Sequence, residues 1–335
     1  MGRYLIRRLV LIIPTLIGLS ILTFAISHLV PADPAKLAAG PRATPDMVQT
    51  IRHEYGLDQP IYIQYGRYVR NLFTGNWGSS IVTQHTVASE LRRYFPATME
   101  LVLASMIFAI GLGIPLGVLA AVYQNRWPDH ISRVFTISFV SIPRFWFAII
   151  LQLTIAFSLG WLPLSGRLPT LTSPPKTITG MYTLDSLLVG NFHLFGVALE
   201  HLIMPAFVQG IGALAVVMRM VRGDMLEILG QDFVRTARAK GLSERKVVID
   251  HALRNAFIPT LTMIGLSFGF SLGGSVLVET IFDWPGIGLY AVNSATTFDF
   301  EPIMGVTLLV GSVFILLNLI VDILYGVLDP RIRVA

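Results

Sequence analysis

The chain has 335 residues, 53% of them hydrophobic and only 13% charged, with a mean hydropathy of +0.66, which excludes an ordinary soluble domain and points to an integral membrane protein. It contains no cysteine, so structural disulfides and thiolate metal sites are excluded. The formal net charge is +5 and the pI about 9.6; in a soluble protein that excess would suggest nucleic acid, whereas in a membrane protein it marks the loops on the cytoplasmic side.

Six apolar stretches are long enough to span a bilayer: 9–30, 101–123, 134–161, 202–221, 257–278 and 303–328. Each has about 20 residues or more, enough to cross a hydrocarbon core roughly 30 Å thick. The first follows Arg3, Arg7 and Arg8 like the basic start of a signal peptide, but its 22 residues exceed an h-region, so it reads as a retained first helix. An even number of spans puts both termini on one side. With the N-terminus inside, segments 1–8, 124–133, 219–256 and 329–335 carry three, two, eight and two Lys or Arg, against two and none in outer segments 162–201 and 279–302. The outer segment 31–96 holds seven, but at 66 residues it is too long for the positive-inside rule to count. The expectation is an all-α protein of the inner membrane, with termini 1–8 and 329–335 and loops 124–133 and 222–256 cytoplasmic. Loops 31–100, 162–201 and 279–302 are expected outside.

The first outer loop has helix signals of its own. In "TPDMVQTIRHEYG" Thr44 is placed to cap, Pro45 to occupy the first helical position and Gly56 to stop; "QPIYIQYGRYVRNLF" starts a second helix at Pro60. Tyr62, Tyr65 and Tyr68 recur at spacing three, a face that either packs the loop on the membrane domain or serves as a docking surface. Residues 162–201 carry the turn chemistry of "SPPK" and "TGMY".

The inner loop contains "RTARAKGLSERK", residues 235–246, in which Arg235, Arg238, Lys240, Arg245 and Lys246 face a single acid, Glu244. "DFVRTARAKG" predicts a helix ending at Gly241; Ser243 is placed to cap a second, "ERKVVIDHALRNAF", running to Pro259. A helix–turn–helix with cations resembles a DNA reader. Five acids in the same loop (Asp224, Glu227, Asp232, Glu244, Asp250) and tethering to the bilayer at both ends argue against nucleic acid as a partner. Small Ala237 and Ala239 beside the turn suit the close approach of a docked cytoplasmic protein.

The loop "EILGQDFVRTARAKGLSERKVVIDHALRNAFIP" resembles the EAA loop of binding-protein-dependent ABC importer permeases, in the version of the dipeptide, oligopeptide and nickel family, most like its first (B-type) dipeptide subunits. The similarity continues through "LVETIFDWPGIGLYAV", "NLIVDILYGVLDPRIR", "RYLIRRLVLIIPTLIGLSILTF" and "GLDQPIYIQYGRYV", nearly the whole chain. Arg235 and Thr236 stand where the general pattern has Glu and its first Ala, while Ala237 and Gly241 are retained. The resemblance implies a type I ABC importer permease fold, taking up short peptides by alternating access, or nickel, glutathione, oligosaccharide or opine by the same machinery. It implies a second homologous permease subunit, two cytoplasmic ATPases docked through Arg235, Thr236, Ala237, Arg238, Ala239, Lys240, Gly241, Leu242 and Ser243, an extracytoplasmic substrate-binding protein, and surrounding membrane lipid. No cofactor is expected on this chain; ATP and Mg belong to the partner ATPases. Independently, the sequence has no G-x-x-x-x-G-K-[ST] phosphate loop, so the chain is read as a non-enzyme.

Two enzyme-like strings are set aside. Gly269 to Gly273 fits G-x-S-x-G but lies in the middle of a span, and Ser243 to Lys246 fits S-x-x-K without companion motifs. Gly265, Gly269 and Gly273 line one face of the fifth span, a surface for close helix contact either within the chain or with a partner permease. Pro115, between Gly113 and Gly117, is placed to bend the second span. Arg144 in "SIPRFWF" lies about ten residues into the third span, roughly 15 Å deep. It either pairs with a carboxylate, lines the translocation path together with Trp146, or snorkels. Glu279 and Asp322 fall near span ends and read as interfacial anchors. The competing class, an autonomous secondary transporter, needs ion-coupling carboxylates near the midplane, and none is well placed.

Overall fold

The computed structural model describes residues 2–29, 34–39, 43–54 and 56–328; the predicted cytoplasmic tail 329–335 lies outside them. Every regular element among the described residues is helical. Among the described residues five helices are long and apolar enough to cross a membrane, or six if the bent pair over 127–158 is one span.

α1 (Gly2–Leu29) is followed by three short helices: α2 (Pro34–Ala39), α3 (Pro45–Glu54) and α4 (Ile61–Phe73). The caps expected for α3 are present. The Thr44 hydroxyl accepts from Met47 N–H at 3.4 Å, and Gly56 has φ +64, the left-handed conformation that glycine adopts without penalty. α4 lies against α1, where the hydroxyls of Tyr65 and Tyr68 bond Ser20 (2.9 Å) and Thr23 (3.0 Å) and both rings pack on Phe24. Two of the three tyrosines therefore serve packing, while Tyr62 stays 72% exposed.

α5 (Val87–Val122) and α9 (Phe192–Leu229) are the longest helices and form the central pair. Both overrun the apolar stretches that predicted them, because a helix continues beyond the bilayer wherever capping chemistry allows. Thr86 caps α5 and Asn191 caps α9. Their close approach rests on glycine. A Cβ on Gly117 would come within 2.7 Å of Met218 O, and one on Gly210 within 2.6 Å of Ser105 O. Pro115 lies within the uninterrupted α5.

The third crossing differs from the continuous span expected over 134–161. α6 (Trp127–Ser141) and α7 (Arg144–Leu151, continued as a π-helix over Gln152–Ser158) meet at 101°. Pro143 supplies no backbone donor and forces Ile142 into the extended region (φ −74, ψ 126), so the helix must stop and restart. Arg144 is thus the first residue of a new helix rather than a point along a straight one.

After α8 (Tyr182–Val189) and α9 comes α10 (Asp232–Ala239), then a continuous helical stretch of α11 (Glu244–Lys246), a π-helical turn (Val247–Leu253) and α12 (Arg254–Ile281). The second loop helix does not end at Pro259 as expected. It runs straight through into the fifth crossing, and Pro259 sits inside α12. α13 (Ile287–Thr296) and α14 (Phe300–Leu328) complete the chain. The core lies where α5, α9 and α12 meet, with Leu101, Val208, Leu214, Leu272, Phe282 and Trp284 almost wholly buried.

Candidate functional site

Two features carry functional chemistry. The first is the connection between α9 and α12. Gly241 has φ +77 and turns the chain between α10 and α11, as its position predicts. Ser243 occupies the N-cap position of α11, but its side chain makes no capping bond. The turn is instead clasped by Arg238, whose guanidinium donates to both Glu244 carboxylate oxygens at 2.7 and 3.1 Å. The Glu244 hydrogen bonds hold the Arg238 pKa above its ordinary range. Ala237 is 6% exposed and packs with Val234 and Val247 inside the loop. It is therefore a structural residue of the loop and not, as predicted, part of a surface left open for a partner. Arg235, Thr236, Arg238, Ala239, Lys240, Gly241, Leu242 and Ser243 are all exposed. The exposed surface includes two apolar side chains, Leu242, which the resemblance had named, and Phe233, which sequence reasoning did not single out; amphipathic spacing around buried Val234 and Ala237 was the available signal.

The second feature is a cavity of about 770 Å³ bordered by α6, α7, α9, α12 and α14. Arg144 projects into it between two glycines, with Cβ positions at Gly212 and Gly274 falling 3.4 and 2.7 Å from its terminal nitrogens. Among the described residues the guanidinium has neither ion pair nor hydrogen bond. The carboxylate pairing considered for it is absent there, and no acid lines the cavity. Trp146 does not line the cavity. Two residues along a helix turn the side chain about 200° away, and Trp146 is 51% exposed on the outside.

The glycine row on α12 divides. Gly265 lies against Val321 and Gly269 against Phe314, both on α14, so these contacts are within the chain. Gly273 meets no atom within 4 Å of a Cβ position and opens onto the cavity. Ser271, the serine of the enzyme-like string, is 3% exposed inside a helix, where its hydroxyl meets the Met106 sulfur.

Three polar clusters were missed or misread. Glu279 is wholly buried, not an interfacial anchor. It accepts from the Thr98 hydroxyl at 2.7 Å and Leu289 N–H at 3.0 Å, tying α5, α12 and α13 together. Buried Glu100 takes Arg167 and both the backbone N–H and hydroxyl of Thr183, each at 2.7 Å for the threonine, while Arg167 lies 3.5 Å over the Tyr182 ring. Asp129 is the third. Asp322 pairs with Arg8 at 3.0 Å, joining α14 to α1. The signal for the first two was an acid at the edge of an apolar run, where burial needs a partner.

Residues 113–334 match the family described as binding-protein-dependent transport system inner membrane component, and residues 1–102 match the N-terminal part of such membrane components. A probable D,D-dipeptide transport system permease protein of Escherichia coli K12 is 47% identical over 94% of this chain and 93% of its own length. A di/tripeptide transport system permease protein of Pseudomonas aeruginosa UCBPP-PA14 is 47% identical over 98% of both chains, and a glutathione transport system permease protein of E. coli K12 is 40% identical over 99% of both. With long apolar helices, a broken third crossing and a match running through both ends, the chain belongs to the family of binding-protein-dependent transport system inner membrane components.

Proposed function

We propose that this multi-pass membrane protein is a permease subunit of an ATP-driven importer of short peptides. The carrying observation is near-full-length similarity to dipeptide and di/tripeptide permeases at 42–47% identity. In this reading the chain pairs with a second homologous permease. Two ATPases dock on the loop from Arg235 to Ser243, and a binding protein delivers peptide to the opposite face. The loop suits that role because α11 runs without a break through the π-helical turn into α12, while α10 follows α9 directly after the turn at Gly230 and Gln231. A push on the loop therefore travels along the continuous α11–α12 helix to the cavity that α12 borders, which serves as part of the translocation path next to Arg144. The 40% identical glutathione permease favours a second cargo, a modified tripeptide carried by the same machinery.

The test is reconstitution. The chain is co-purified with its permease and ATPase partners, placed in vesicles with loaded binding protein, and uptake of labelled dipeptide is followed with and without ATP. ATP-dependent accumulation is expected. Uptake by this chain alone without ATP would instead make it an autonomous transporter.

A further inference from the structure

Arg144 is the one feature of the cavity whose chemistry calls for something from outside the chain. The break at Pro143 aims it across the cavity from the first position of α7, and glycine at 212 and 274 clears the space its guanidinium occupies. A side chain at Gly274 would displace it, since the Cβ would lie 2.7 Å from a terminal nitrogen. Beside it, Gly273 leaves open volume, and the whole cavity of about 770 Å³ falls within the roughly 300–1,000 Å³ usual for small-molecule sites. The remaining lining is apolar apart from Ser267 and Ser271. A guanidinium with five donors and no partner among the described residues is costly to maintain in such a place unless an oxyanion or water completes it.

Depth narrows the class of anion. Gly212, which floors the guanidinium, lies in the middle of the apolar stretch 202–221 of α9, about 13–15 Å along the helix from either end of it. A lipid phosphate belongs to the headgroup layer, near helix ends, and reaching this depth would draw its charge toward the middle of the hydrocarbon. A solute crossing the membrane must pass this level. Building on the peptide-importer reading above, we propose that Arg144 binds a carboxylate of the passing peptide, the planar fork taking both oxygens. Glycine walls admit the peptide backbone close to the guanidinium, and a single charged contact leaves the anion free to depart.

The absence of native cysteine allows a charge-rescue experiment in the reconstituted complex. Arg144→Cys is compared with wild type, treated in parallel to control for thiols on partner subunits, and then modified with cationic aminoethyl, anionic sulfonatoethyl or neutral methyl methanethiosulfonate. Expected is a loss of peptide uptake of roughly tenfold, about the worth of one charge-assisted hydrogen bond. The cationic adduct should restore uptake, and the neutral and anionic adducts should not. Uptake by Arg144→Cys at the wild-type rate, or equal rescue by the anionic adduct, overturns the proposal. So does loss of co-purified anionic phospholipid with uptake unchanged, which would assign the guanidinium to a lipid phosphate. Should the cysteine variant not assemble, Arg144→Lys serves: an assembled complex with raised KM for peptide is expected, and an unchanged KM overturns the site. Failure of the wild-type complex to show ATP-driven uptake is a different result and sinks the importer reading itself.

Discussion

Arg222 of α9 donates to both carboxylate oxygens of Asp129 on α6, and Asp129 has no exposed surface at all. Arg133, one turn further along α6, reaches the same carboxylate at 2.6 Å, and Asn125 N–H completes it at 2.9 Å. The clamp joins the entry of the broken third crossing to the same helix that leads into α10. Removing the carboxylate strands two cations. Because Arg133 and Arg222 keep 44% and 22% exposure, the cost for Asp129→Ala should be near the lower end for a buried pair, about 3 kcal/mol. The expected outcome is a lower melting temperature of the purified complex together with ATP hydrolysis that no longer drives uptake. Arg222→Ala combined with Asp129→Ala should cost less than the sum of the two. Strict additivity would show that the pair does not act as a unit.

Ala237 and Ala239 separate two ways of losing ATPase docking. Ala237 is packed inside the loop and Ala239 is exposed. Ala237→Trp overpacks the Val234–Val247 contact and should cost about 1–3 kcal/mol, detected as faster proteolysis of the loop. Ala239→Trp should leave the loop intact and obstruct only the partner. Both variants are expected to lose ATPase co-purification; protease resistance should be normal in Ala239→Trp alone. Retention of the ATPases by Ala239→Trp would place the docking surface elsewhere.

Gly241 gives a graded series. Its left-handed backbone tolerates Asn better than other side chains, and no atom lies within 4 Å of a Cβ position. Gly241→Asn should therefore stay close to wild type in uptake. Gly241→Val, β-branched at positive φ, should distort the turn and cost about 1–2 kcal/mol or more of loop stability. Uptake measured for the pair should follow that order, and equal uptake would remove the turn geometry from the mechanism.

The long apolar helices, the capped outer helices and the Gly241 turn were legible because each depends on local chemistry: apolar length, cap residues, a positive-φ position. The broken third crossing was legible only in part. Pro143 announces a disruption, yet membrane helices often absorb proline, as α5 does at Pro115 and α12 at Pro259. What distinguishes them is whether neighbouring helices re-satisfy the freed backbone, which is a tertiary fact. Glu279 was misread for the same reason. Its donors, Thr98 and Leu289, come from elements that sequence cannot bring together. Arg144 was visible as an anomaly, but the glycines that shelter it, 68 and 130 positions away, were not.

Orientation can be tested by introduced cysteines, since the chain has none of its own. Sites must be chosen by exposure. Ser80 and Ser294 lie on predicted outer loops but are 2% and 5% exposed, and Ser80 is bonded to Asp299 at 2.6 Å, so neither would report sidedness. Thr83, Ser173 and Thr296 are exposed on the same three loops, and Ser243 is exposed at the Gly241 turn. An impermeant maleimide added to intact cells should label cysteine at 83, 173 and 296, and label position 243 only after the membrane is opened. The positive-inside distribution demands this result, because the eight cations of 219–256 form its largest inner cluster. Labelling of position 243 in intact cells, with the outer three silent, would invert the molecule and move the docking loop to the side without ATP.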